Sequence, residues 1–145
     1  MGEARDLVER AWRAIEAGEV ERLAEVFSED AELATSSAEG RGVEYVQRVF
    51  RRHHAAYPDL THEVLGCIEN GDGTEIALDM RFTGTHQGEL NGPRGAIAAT
   101  GRTLRWRSAD HVRTRGGRIV SWRAVFDRLT IREQLGLERA AGGRG

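Results

Sequence analysis

The chain has no lysine: all 21 of its basic residues are arginine, set against 23 acidic ones. The net charge is −2 and the two signs are interspersed. Nothing therefore resembles a nucleic-acid footprint or a polybasic membrane patch. A single cysteine, Cys67, excludes an internal disulfide, and its apolar surroundings read as those of a small buried hydrophobe. No run of eighteen apolar residues occurs and no signal peptide opens the sequence, so a cytoplasmic location is expected. There is no HExxH, no CxxC and no carboxylate–histidine pair at helical ligand spacing, which argues against a metal. No GxGxxG leads from a strand into a helix, and no GxSxG elbow is present. These absences leave acid–base chemistry that needs no cofactor.

What is there fits one domain, residues 1–139, with a frayed tail at 140–145. Leu7, Val8, Ala11, Trp12 and Ile15 predict a helix over 4–17, which Gly18 breaks. A second helix is expected over 20–27, ended by Ser28-Glu29-Asp30, and then a short strand over 31–35. A polar loop over 36–42 leads to a third helix over 42–57, stopped by Pro58. After Pro58 the period changes. Strands are expected over 62–68, 75–83, 103–113 and 118–126, with turns at Asn70-Gly71-Asp72-Gly73 and Arg115-Gly116-Gly117. A long loop over 87–101 separates them, and helical spacing returns over 127–137. Helices first and an antiparallel sheet after give an α+β fold. A curved sheet wrapped around its own helices would enclose a cone-shaped hydrophobic pocket.

Alternation on the strand 103–113 puts Leu104, Trp106, Ser108, Asp110 and Val112 on one face. The other face, with Arg105, Arg107, His111 and Arg113, is too basic for a core. Asp110 therefore faces inward, among apolar side chains such as Val120, Trp122, Ala124 and Phe126 of the next strand. Burial raises a carboxyl pKa, and such a group can act as a general acid or donate to an oxyanion. His53 and His54 end the third helix, and only one can point fully inward; we assign that role to His54. His86 shares parity with Met80 and Phe82 and would reach the pocket mouth. Asp110, His54 and His86 are thus the candidate acid–base groups. Trp12, Phe50, Tyr57, Trp106, Ser108, Trp122 and Phe126 are the candidate substrate contacts. Leu90 and Ile97 of the long loop would close over a hydrophobic substrate.

Six pieces, "AEVFSEDAEL", "YPDLTHEVLG", "MRFTGTHQGE", "TGRTLRW", "GGRIVSW" and "FDRLTIREQLG", follow in an order that resembles the SnoaL-like polyketide cyclases of the nuclear-transport-factor-2-like superfamily. The resemblance covers nearly the whole chain and implies a cone-like α+β barrel, a homodimer and a deep pocket for a small hydrophobic substrate. It also implies cofactor-independent cyclisation or isomerisation of a polyketide-derived intermediate, as in antibiotic biosynthesis. The resemblance is that of a divergent member. The cyclases carry an Asp on the last strand where this sequence has Ala124, and the facing position, often His, is Asp110. Ketosteroid isomerases keep a protonated Asp at that facing position, but Thr35 stands where their base would be, and Ala11 or Trp12 where their Tyr would be. An epoxide-hydrolase-type relay would need Asp79 and Arg81, which face outward. The rival to a cyclase is a non-catalytic ligand-binding or accessory protein of the same fold.

Overall fold

The computed structural model describes residues 2–92 and 94–137, so the expected tail at 140–145 lies outside the described residues. Helix α1, Glu3–Glu16, forms where the apolar stripe is, and Leu7, Val8, Ala11, Trp12 and Ile15 are all buried. Glu3 and Asp6 in its first turn suit the positive end of the helix dipole. Gly18, at φ 76°, turns the chain out of it.

The expected second helix is shorter and tighter than the spacing predicts. Val20–Glu25 is a single 3₁₀ piece, closed by Val26 N–H donating to the Leu23 carbonyl at 3.0 Å. Strand β1, Phe27–Ala34, begins at once, four residues earlier than expected. The reason is tertiary: Phe27 pairs with Ile119, and its ring stacks on Trp122 at 5.8 Å. The polar loop after β1 holds a short strand, β2, Glu39–Arg41. Helix α2 is Val43–Ala56, and Pro58 follows it.

Strands β3, Thr61–Glu69, and β4, Glu75–Thr85, form a hairpin. The long loop is not structureless: β5, Leu90–Gly92, and β6, Gly95–Ile97, make a small hairpin of their own. Strands β7, Thr103–Arg115, and β8, Arg118–Phe126, are joined by Gly116-Gly117, both at positive φ as a two-residue primed turn demands. Helix α3, Arg128–Gln134, is capped by Asp127, whose carboxylate accepts from Thr130 N–H at 3.0 Å.

The main sheet runs β2-β1-β8-β7-β4-β3, antiparallel except for the parallel β1–β8 pair. It curves around the N-terminal helices without closing into a barrel: α1 packs on β4, β7 and β8, and α2 on β1. The alternation of β7 is as expected, with Leu104, Trp106, Ser108, Asp110, Val112 and Thr114 all buried. On β8 it is interrupted. Ser121 pairs with Arg113 and Ile119 with Thr114, leaving Val120 as the extra residue of a bulge. Ile119, fully buried, thereby takes the inward place expected of Val120, which is half-buried. Cys67 is likewise only half-buried, because β3 is an edge strand and its Leu65 and Ile68 are exposed.

The turn out of β4 is locked against the end of α2. Gln87 and Gly88 N–H both donate to the Ala56 carbonyl, at 3.0 and 3.3 Å, satisfying a helix end that has no partner of its own. A Cβ on Gly88 would lie 2.0 Å from the Ala55 carbonyl oxygen. Backbone on both sides leaves nothing to yield. Gly88→Ala is expected to cost about 1–3 kcal/mol of unfolding free energy in urea; an unchanged midpoint would show that the loop does not need this approach.

Candidate active site

Asp110 sits near the middle of β7, opposite Leu78 on β4 and Ala124 on β8. It is 4% exposed, yet neither oxygen lacks a partner. Trp122 Nε1–H donates to Oδ2 at 2.7 Å, and the Ser108 hydroxyl donates to Oδ1. Burial pushes the Asp110 carboxyl above its ordinary value, and the Ser108 and Trp122 hydrogen bonds pull back part of that shift. All three residues come from one hairpin. Ser108 and Asp110 are two apart on β7, and Trp122 pairs with Val112 on β8.

These side chains line a cavity of about 560 Å³. Its walls are the concave face of the sheet, the last turns of α2, the β5–β6 hairpin and α3. Leu90 and Ile97 of that hairpin line it, as the sequence predicts. The seven expected substrate contacts all reach this cavity: Trp12 from α1, Phe50 and Tyr57 from α2 and its end, and Trp106, Ser108, Trp122 and Phe126 from the hairpin. Phe82 of β4 fills the floor between Trp12, at 4.8 Å, and Trp106, at 5.8 Å. All three tryptophans of the protein thus face one space.

The histidines fall differently from expectation. His53 lines the cavity and His54 does not. The His53 ring lies edge-on to Phe50, Tyr57 and Trp106, at 6.3, 5.8 and 6.3 Å. Among the described residues neither of its nitrogens has a hydrogen-bond partner. Desolvation lowers its pKa to about 4, so the imidazole is neutral near pH 7. His54 instead turns to the back of α2, under Gly18, where a Cβ would meet its Nε2 at 2.9 Å. Spacing does not separate the two: His53 stands three residues from Phe50 and four from Val49 and Tyr57, and His54 stands four from Phe50 and three from Tyr57. His86 is fully buried but lies outside the lining. Its Nδ1 accepts from Thr100 N–H at 3.2 Å and meets the Thr100 hydroxyl at 3.0 Å, tying down the loop.

Tyr57 completes the polar set. Burial raises its phenol to about 12, so it remains a hydrogen-bond donor at any working pH. Its ring packs on Trp106 at 5.0 Å and leaves so little room at Gly84 that a Cβ there would lie 2.9 Å from its own. Asp79 and Arg81 are on the outer face, where Asp79 takes three bonds from Arg107 and Arg81 binds Glu63. Among the described residues no three His, Cys, Asp or Glu side chains are grouped to hold a metal. No described helix is long and apolar enough to cross a membrane.

The model of the SnoaL-like polyketide cyclases matches residues 5–135. The chain belongs to this family. Solved structures agree on the fold. TsrD from Streptomyces laurentii is 22% identical, covers 92% of this chain and 94% of its own, and superposes with a TM-score of 0.78. A protein of Jannaschia sp. CCS1 described as a SnoaL-like polyketide cyclase is 14% identical, with coverage of 92% and 91% and a TM-score of 0.79. IdmH from Streptomyces antibioticus, described as a polyketide cyclase, is 26% identical, with coverage of 91% and 97% and a TM-score of 0.75. No curated protein matches the chain.

Within this member of the family, the buried polar groups set a pH dependence. The unfolded chain holds a proton on His53 below pH 6.5, whereas the folded one takes it up only near 4. Stability therefore falls as pH drops through that window, by up to about 3 kcal/mol. Asp110, raised on folding, works in the opposite sense: its contribution is lost as pH rises through its folded pKa. Urea unfolding at pH 7 and pH 4.5 separates them. His53→Phe is expected to remove most of the wild-type loss at pH 4.5; an identical loss in the variant would mean His53 charges freely in the folded state.

Proposed function

We propose that the protein is a cofactor-independent cyclase or isomerase acting by acid–base catalysis on a hydrophobic, polyketide-derived intermediate. The observation that carries this reading is the pairing, in one aromatic cavity, of a buried carboxyl that holds its proton to higher pH with an imidazole that stays neutral. The carboxyl is pushed up and the imidazole down, and perturbed titratable groups that share one cavity are candidates for proton transfer.

The assignment of roles follows from donor inventories. His53, neutral and with its nitrogens unengaged by the described residues, is the base. It takes a proton from carbon next to a substrate carbonyl. Asp110 cannot reach outward on Oδ2, which already accepts from Trp122. Its other oxygen faces Ser108. A protonated Asp110 donates to the Ser108 oxygen, whose own O–H then turns toward the cavity. Ser108 is thus the relay through which the carboxyl protonates a developing alkoxide or enolate. Tyr57 O–H is the second donor available to that oxygen. In ring closure the carbanion carbon attacks a carbonyl of the same chain, one C–C bond forms as the carbonyl π bond opens to an alkoxide, Asp110 protonates that alkoxide through Ser108, and the proton His53 took returns through solvent to the Asp110 carboxylate. The aromatic walls hold a flexible substrate in a reactive shape, a contribution of proximity and not of further chemistry. Lysine-based covalent catalysis has no candidate, since the chain has no lysine.

Asp110→Asn keeps an acceptor for Trp122 and a donor to Ser108, so folding is spared while the acid is lost. With aromatic poly-ketone substrates followed by mass and chirality, kcat is expected to fall about 10²–10⁴-fold. Product of unchanged mass marks cyclisation without dehydration or isomerisation; product heavier by one water marks an epoxide-hydrolase-type reaction instead. Tight binding with no turnover in the wild type would make this a ligand-binding member of the family. A fully active Asp110→Asn enzyme would remove the carboxyl from the mechanism.

A further inference from the structure

Of the cavity's walls, the β5–β6 hairpin is the least supported. It forms a two-stranded sheet of its own, and an isolated pair of strands is marginal in water. Leu90, Gly92 and Ile97 line the cavity while Ala96 is exposed, so the wall there is one hairpin thick. Among the described residues, 89–92 and 94–99 make no hydrogen bond or ion pair to the rest of the chain. The two ends of the segment are fastened unequally. One is fixed backbone to backbone, by Gln87 and Gly88 N–H on the Ala56 carbonyl. At the other, His86 N–H donates to the Arg102 carbonyl and Gly101 N–H to the His86 carbonyl, each at 2.8 Å. Thr100 lies just beyond that pair and is held by the imidazole, whose Nδ1 accepts from its N–H at 3.2 Å and meets its hydroxyl at 3.0 Å. In a neutral ring an accepting Nδ1 places the proton on Nε2. The Nε2 of His86 is buried with no partner among the described residues, a cost to folding that an apolar side chain would avoid. What the ring supplies in return is one acceptor, aimed at Thr100.

We propose that His86 is a positioning residue for a lid: its Nδ1 holds Thr100, and through Thr100 the β5–β6 hairpin, closed over the cavity. Ligand enters and leaves when that bond parts and the hairpin swings on its Gly88 end. A Cβ on Gly88 would lie 2.0 Å from the Ala55 carbonyl oxygen, so that end is pressed on α2 and serves as the pivot. The Thr100 end is held by a side-chain acceptor, which releases without unpairing the main sheet. Leu90 and Ile97 supply the attraction that recloses it, by burying apolar surface against the cavity. An element with few ties to the body opens at a lower free energy than the strands beside it, and such openings set exchange rates at enclosed sites. The His86 ring also lies 6.0 Å from that of Tyr57, so the clasp adjoins a cavity wall. This inference rests on the cavity being the ligand site.

The three cavity tryptophans supply the readout. Stopped-flow quenching of their fluorescence by 9,10-anthraquinone gives association and dissociation rates separately. In His86→Leu both rates are expected to rise together by about three- to tenfold, the change in open population that losing one hydrogen bond gives, with little change in their ratio. His86→Asn puts an amide oxygen near the place of Nδ1 and should return both rates toward wild type, which a purely space-filling role would not. In the unmutated protein, hydrogen exchange should release the amides of Thr100 and of the β5–β6 pairs together, before those of β4 and β7. Unchanged rates in His86→Leu, an Asn variant as fast as the Leu one, or a Thr100 amide that exchanges only with the main sheet would overturn the lid and leave the cavity reading standing. Failure of anthraquinone to bind the wild type would overturn both.

Discussion

A carboxyl placed among aromatic rings costs several kcal/mol unless each of its oxygens finds a donor. Asp110 meets that condition through Trp122 Nε1–H and the Ser108 hydroxyl, both from the hairpin that carries it. Much of the local structure serves this arrangement. Trp122 must lie flat under the cavity to offer its N–H, and Phe27, Trp12 and Phe50 hold it there at ring separations of 5.8, 5.9 and 6.1 Å. The early start of β1 at Phe27 and the bulge at Val120 are the backbone consequences. One supplies the ring stacked on Trp122, and the other resets the alternation so that Ile119 and Trp122 both face inward.

The same packing explains why the polar groups of the cavity have unlike protonation. Asp110 keeps donors, so desolvation raises its pKa against a partial opposing pull. His53 has rings on three sides and no partner among the described residues, so desolvation acts alone. Neither shift needs a charged neighbour. Change in the aromatic shell, more than change in charge, would move both. Ala124, opposite Asp110 on β8, carries no acid, and the buried acid of the hairpin is on β7.

Much of this was legible in the residues. The inward parity of Trp106, Ser108 and Asp110 follows from period-two alternation, and the inward places of Trp12 and Phe50 follow from helical spacing. Where the sequence reading erred, it erred for lack of a neighbour. Adjacent His53 and His54 differ by one helical step, and the difference is decided by where α1's Gly18 leaves a hole for His54. His86 reads like a strand residue aimed at the pocket, but Thr100, from the far side of a long loop, captures its ring. Val120 reads as core because a bulge has no signature in an apolar run.

The sequence by itself determined the class of chain, the order of its helices and strands, and which face of β7 is dry, because these depend on local periodicity. Only the tertiary structure decided which histidine is desolvated and which donors hold the buried acid. Those properties depend on distances between segments far apart in the chain, where burial and hydrogen bonding, and not spacing, set the energy.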